Sequence, residues 1–297
     1  RERTTAGAFR SGSSSNSISR GVYEDNNLMD YTGKMDVEYK LTSIHNLGFG
    51  IQGTHNDIDY TYTQDDSVTI IDRSTDGQIF AGYLQDRMKF FNGSLVLTPG
   101  LRTNYFSETE KMYYEPRVSA TYQINKQLSL KSAYGDYYQF AKRVIREDIT
   151  EGSRDFWVLS DDDKLPVSSS RQYTLGATYE TSKYVFDVEG FYKELNNVTE
   201  YSLRIAPKPG EIEYSENFYT GTGIARGIDF LAQKKYGDFT GWISYTLSEV
   251  TSHIDEFGDY DFYASQDVTH EFKTVFSYSW RNWDFGATWI YATGKPY

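Results

Sequence analysis

Between Tyr137 and Trp157 the chain gathers the side chains best suited to holding a ligand. Tyr137, Tyr138 and Gln139 lead into Arg143 and Arg146, and Phe156 and Trp157 follow. Cations beside aromatic faces suit an anionic or sugar-like ligand, through ion pairing and ring stacking. The competing explanation is a long loop that packs on itself. On chemistry alone, the candidate ligand contacts are Tyr137, Gln139, Arg143, Arg146, Phe156 and Trp157.

Other constellations lose to simpler explanations. Gly48-Phe49-Gly50-Ile51-Gln52-Gly53 matches the spacing of a dinucleotide-binding loop, which needs a strand before it and a helix after it. Here strand-like alternation runs through the glycines, so glycines facing a crowded interior fit better. The four histidines, His45, His55, His253 and His270, lack ligand spacing. Haem capture by His253 competes with a solvated loop residue. Asp161-Asp162-Asp163 and the cluster Asp255, Glu256, Asp259 and Asp261 carry the oxygen ligands Ca²⁺ favours, but not the EF-hand order. Solvated acidic loops are the default, and no other cofactor is implied. Asp187 with Glu189 could be an acid–base pair, yet a wet wall with scattered charge explains both. Neither G-x-S-x-G nor H-E-x-x-H occurs. The expectation is a protein that is not an enzyme.

Composition narrows the classes further. There is no cysteine among 297 residues, hence no disulfide frame, thiolate metal site or thiol nucleophile. A net charge of −12 argues against a nucleic-acid partner. The chain opens Arg1-Glu2-Arg3 without Met or an apolar core, which fits a removed signal or a piece of a longer protein. Mean hydropathy is −0.62, and no segment approaches the roughly 20 apolar residues of a membrane-spanning helix. A barrel strand, by contrast, needs only about 10 residues with every second one apolar.

That alternation is what positions the candidate residues. Tyr114, Pro116, Val118, Ala120, Tyr122 and Ile124 oppose Glu115, Arg117, Ser119, Thr121 and Gln123. After a turn at Asn125-Lys126-Gln127, Leu128 and Leu130 oppose Ser129 and Lys131. Successive strand side chains point to opposite faces, so this is a hairpin with one apolar and one polar wall. Met29 to Leu41 alternates the same way. After Leu47, Phe49 and Ile51, the apolar parity flips to Ile58, Tyr60 and Tyr62, which predicts a bulge or an exit from the apolar zone. Further pairs are predicted at 78–90 with 95–106, 170–179 with 184–192, 224–234 with 239–247, and 270–280 with 283–291. Asn92-Gly93 is a strong hairpin signal. Pro116 cannot donate to a ladder, so an edge or a bulge must accommodate it.

About twelve strands result, joined by six tight turns alternating with mostly long connections, among them 65–77, 140–169, 195–222 and 248–267. A sandwich scatters its long loops, whereas an outer-membrane barrel keeps short periplasmic turns and long extracellular loops. Tyr39, Phe91, Tyr122, Tyr179, Tyr184, Tyr236, Phe239, Trp280 and Trp283 cluster near the tight turns, as an interfacial aromatic girdle would. The expectation is an all-β antiparallel transmembrane barrel whose apolar faces meet lipid. Met35, Val37, Val118 and Ala120 are the residues on which it stands or falls.

The strands also resemble a family. Glu115-Pro116-Arg117-Val118-Ser119-Ala120-Thr121-Tyr122 with Leu128-Ser129-Leu130-Lys131-Ser132-Ala133-Tyr134-Gly135 is similar to the central barrel of TonB-dependent outer-membrane receptors, in a Bacteroidetes-like flavour. So are Tyr83-Leu84-Gln85-Asp86-Arg87, Gly221-Thr222-Gly223-Ile224-Ala225-Arg226-Gly227-Ile228-Asp229, Asp267-Val268-Thr269-His270-Glu271-Phe272 and Thr293-Gly294-Lys295-Pro296-Tyr297. The ordered set covers roughly residues 78 to 297. The resemblance implies a 22-stranded barrel of which residues 1–297 are the middle, with plug domain and closing strands elsewhere. It implies outer-membrane lipid, an extracellular ligand, TonB acting through the plug, and a surface lipoprotein as partners. Uptake of a scarce nutrient follows, ferric siderophores first and glycans next. A barrel that scaffolds a surface complex without transport is the alternative, and a soluble carbohydrate-binding sandwich a third.

Overall fold

The computed structural model describes residues 22–64, 68–146, 154–201 and 218–295. One antiparallel sheet runs through twelve strands in this order: β1 (Val22–Lys40), β2 (His45–Gln64), β3 (Val68–Phe90), β4 (Leu95–Phe106), β5 (Lys111–Gln123), β6 (Leu128–Gln139), β9 (Ser168–Glu180), β10 (Tyr184–Tyr201), β11 (Phe218–Lys234), β12 (Phe239–His253), β14 (His270–Trp280) and β15 (Trp283–Ala292). The hairpin β7 (Ala141–Arg146) and β8 (Arg154–Leu159) is inserted between β6 and β9, and the short β13 (Phe262–Tyr263) pairs with β12. The sheet is open, with β1 and β15 at its edges.

All six predicted tight turns lie at one end of the strands, and polar side chains close three of them, at 41–44, 124–127 and 181–183. Asn125 Oδ1 accepts the N–H groups of Gln127 and Leu128 at 2.8 and 3.0 Å. Thr181 Oγ1 does the same for Lys183 and Tyr184. Asn92 and Gly93 hold φ of 55° and 89°, a conformation Asn and Gly adopt most cheaply. The opposite end differs from expectation. Residues 68–77 continue the β2–β3 ribbon, pairing from Asn56–Gly77 to Gln64–Val68, and only four residues join β4 to β5. A ladder bonded through its backbone needs no alternation of side chains where no apolar medium demands it.

The apolar parity face points away from the sheet's concavity and stays uncovered. Met35 (62% exposed), Ile51, Leu84, Leu101, Val118, Leu175 (68%) and Phe186 are exposed, and Val37 and Ala120 are half-buried beside them. None of the four deciding residues sits in a packed protein interior. All nine predicted girdle aromatics are exposed near the tight turns. A continuous apolar surface of this kind, rimmed by interfacial aromatics, is that of a membrane-embedded wall.

The parity flip at Ile58 is not a bulge. β1 and β2 pair without interruption from Lys40–Asn46 to Val22–Gln64, and the one irregularity in the β2–β3 ladder lies at Tyr62–Thr63. Ile58 and Tyr60, each 2% exposed, instead turn inward onto the β7–β8 hairpin. Tyr60 stacks on Phe156 at 4.5 Å, and Val144, Val158, Leu165, Tyr201 and Phe218 complete that cluster. Ile58, Phe106, Phe140, Leu159 and Val167 form a second one. Trp157 N–H donates to Asn26 Oδ1 on β1, while Arg146 on β7 pairs with Tyr201 on β10. One hairpin thus ties β1–β3 to β10, so the sheet must curve around it. The connection after β6, expected to be irregular from 140 to 169, holds the paired strands β7 and β8 over its described residues.

Pro116 is accommodated at a local edge. It pairs with Leu101 of β4, but β5–β6 pairing begins only at Arg117–Gly135. Above that point β6 pairs with β9 alone, as far as Gln139–Ser168. The missing proline N–H coincides with the place where β5 and β6 part.

Candidate functional site

The polar parity face lines the concavity, and its charges are paired across strands. Lys131 Nζ lies 2.9 Å from both Asp187 and Glu189, and Thr178 donates to Asp187. Those two carboxylates therefore share a cation, which disposes of them as a free acid–base pair. Tyr83 Oη donates to Asp36 at 2.6 Å, directly over Gly50. A Cβ on Gly50 would meet Met35 O and the Tyr83 ring at 2.6 Å, and one on Gly48 would press on Gln85. These two glycines face the crowded interior as expected. Gly53 lies on the outer face near Phe80 instead, and the strand continues to Gln64 with no helix behind it.

Two clefts open on this inner wall. The lower, about 400 Å³, is lined by Tyr83, Gln85, Arg102, Arg117, Ser119 and Tyr137, among others. The upper, about 600 Å³, is lined by Tyr137, Gln139, Lys142, Arg143, Gln172 and Gln266, with Ser168, Ser170, Asn196 and Glu200 between them. The structure thus brings Tyr137, Gln139 and Arg143 together, with Gln139 and Arg143 exposed to the cleft. Phe156, 1% exposed, is enclosed by protein, and Trp157 packs against the second core cluster. Strand alternation explains the split, because Val144 and Phe156 share one face of the hairpin and Arg143 and Trp157 the other. The side chain of Arg146 lies outside the described residues.

Lys142 was not singled out by sequence, since a lone lysine between an alanine and an arginine carries no signal. It is 5% exposed and lends its ammonium to Pro166 O, Asn197 O and Thr199 Oγ1 at 2.5, 3.3 and 2.8 Å. Burial pushes its pKa down to about 8, against the opposing pull of Asp161. The lysine fastens the hairpin to the segment that leads into β9 and to β10. Ser170 and Gln172 were legible in principle, because they fall on the polar parity of β9.

The remaining expectations are placed as follows. Asp161 Oδ1 accepts the N–H of Asp163 and Leu165 to close a turn, and Asp162 pairs with Lys111. His253 sits between Asp255 and Asp261 at 3.2 and 3.0 Å, His45 bonds Asp86, and His270 bonds Tyr245. Among the described residues no three His, Cys, Asp or Glu side chains converge as a metal site, and no helix is long and apolar enough to cross a membrane.

Comparison with known proteins agrees with the geometry. Residues 2–297 match the family model "TonB dependent receptor-like, beta-barrel". No curated protein matches. Among solved structures, the FrpB iron transporter of Neisseria meningitidis superposes with a TM-score of 0.62 at 12% identity, covering 89% of this chain and 42% of its own. The ferric yersiniabactin uptake receptor FyuA of Yersinia pestis gives 0.63 at 12%, covering 93% and 42%. The siderophore receptor PirA of Acinetobacter baumannii gives 0.61 at 10%, covering 94% and 43%. The chain spans about two-fifths of the length of these structures. Its exposed apolar face, single end of tight turns and polar concave wall are those of a partial outer-membrane barrel, and the chain belongs to the TonB-dependent receptor β-barrel family of the bacterial outer membrane.

Proposed function

We propose that this barrel segment serves TonB-dependent uptake of a scarce nutrient, a ferric siderophore first, captured in the upper cleft. The observation that carries the reading is the convergence of Tyr137, Gln139, Lys142 and Arg143 at the mouth of the concave wall, above a lumen-facing lower cleft. A positive, aromatic-edged recess suits an anionic chelate. The iron and siderophore receptors among the structural neighbours support the same ligand class. TonB would act through a plug domain carried outside this chain.

The test is uptake of radioactive iron by cells producing the full-length receptor, supplied with hydroxamate, catecholate and carboxylate chelates in turn. One chelate should support uptake, and Arg143→Ala should lower it about ten- to hundredfold, the loss of one charge-assisted contact of about 1.5–3 kcal/mol. Uptake that ignores Arg143→Ala and Gln139→Ala alike would remove the cleft from the path. The neutral hydrogen-bonding lining of Ser168, Ser170, Gln172, Asn196 and Gln266 favours one second reading, an oligosaccharide ligand. Growth on a glycan through the receptor, with no iron phenotype, would select it.

A further inference from the structure

Tyr137 is the one lining residue common to the two clefts. Its pose is set from two sides. The ring folds back over Gly135, where a Cβ would meet the Tyr137 hydroxyl at 2.9 Å and ring carbons at 3.0 and 3.1 Å. The Arg117 guanidinium lies 4.3 Å from the ring centroid, a cation–π contact. Arg117 is held in turn by Glu115, 4% exposed, whose other oxygen accepts the Tyr138 N–H at 3.1 Å. That last bond replaces the ladder that stops beside Pro116.

We infer that Tyr137 is the partition between the upper and lower clefts, a checkpoint that a ligand taken up from the outer side must pass, with Arg117 and Glu115 as its positioning residues. The checkpoint role rests on the upper cleft being the entry side. The divided geometry itself can be tested without any ligand. The ring, more than its hydroxyl, does the dividing, because the cation–π contact is to the ring and two of the three atoms over Gly135 are ring carbons.

This chain has no cysteine, so once any cysteine elsewhere in the full-length receptor is changed to serine, a single introduced thiol reports alone. Ser119→Cys places one in the lower cleft and Ser170→Cys one in the upper. The full-length receptor in intact outer membranes is treated from outside with a membrane-impermeant maleimide, each variant first checked for native heat-modifiable migration. The upper thiol, at position 170, should label at one rate throughout. The lower thiol, at position 119, should label slowly with Tyr137 present, about tenfold faster with Tyr137→Ala, and severalfold faster with Arg117→Met or Glu115→Ala. Tyr137→Phe should restore the slow rate. Equal rates at the lower thiol with and without the ring, or an equal acceleration at the upper one, would overturn the proposal. Nutrient uptake failing while this pattern holds would sink the assigned ligand and leave the partition standing.

Discussion

The belt around Met35, Ile51 and Leu175 and the crown around Phe156 obey opposite rules on the same strands. In the belt, apolar side chains point outward and stay uncovered, while the inner face carries ion pairs such as Lys131 with Asp187. In the crown, β2 turns Ile58 and Tyr60 inward, and an inserted hairpin supplies their partners. Where hydrocarbon surrounds the wall, the solvent completes the packing; above it, the protein must build its own core. The switch occurs within one strand and without a register slip, because side-chain parity is fixed and only the identities of the residues change.

The sharpest way to break this contrast is to cut into the crown. Phe156→Ala should cost about 3–5 kcal/mol of local stability. Hydrogen exchange should show the β7–β8 amides losing protection while belt amides keep theirs. Uniform loss of protection would mean the two regions unfold as one. Next comes a charge in the belt: Leu175→Arg should cost about 2–4 kcal/mol in bilayers. Gln172→Arg, on the wet parity of the same strand, should cost much less. Similar costs at both sites in lipid vesicles would refute the assignment of faces.

A third test sharpens the boundary through Lys142. Its folded pKa of about 8 lies below the unfolded value, so between about pH 8 and 10.5 the unfolded chain binds the proton more tightly. This group therefore makes folding more favourable as pH climbs through that window, by up to about 1.4 kcal/mol per pH unit. Below pH 8 both states are protonated and the slope disappears. Lys142→Met should flatten the profile of crown stability, and an unchanged slope would refute the assignment. Smallest is Tyr83→Phe, which removes one bond to Asp36 and should cost about 1 kcal/mol. A larger loss would show that the lumen wall below the crown is less solvated than its exposure indicates.

The fold was legible because a barrel wall writes its two media into alternate residues. The turns at 91–94, 124–127, 181–183, 235–238 and 281–282 and the last pair from His270 to Ala292 emerged almost to the residue, while the first turn, read at 43–46, lies at 41–44. The crown was less legible for the same reason. Its hairpin buries Phe156 and Val144 against residues nearly a hundred positions earlier in the chain, and no local period records such a contact. Within the site, Tyr137, Gln139 and Arg143 could be found by their chemistry. Lys142 could not, since its meaning comes from three oxygens that tertiary structure delivers. Phe156 illustrates the converse, an aromatic read for its chemistry whose place is decided by strand parity.

The parting of β5 from β6 gives the wall an unequal mechanical character. Inside the hydrocarbon these two strands are fastened by a continuous row of amide bonds, from Arg117–Gly135 to Gln123–Ser129. Beyond it they are joined only through side chains: the Glu115 carboxylate on the Tyr138 N–H, the Arg117 guanidinium on the Tyr137 ring, and the edge-on rings of Tyr113 and Tyr138, 4.9 Å apart. Spreading the rim here would break side-chain links but no ladder bond between β5 and β6, so this seam can yield at its mouth while it stays fastened below.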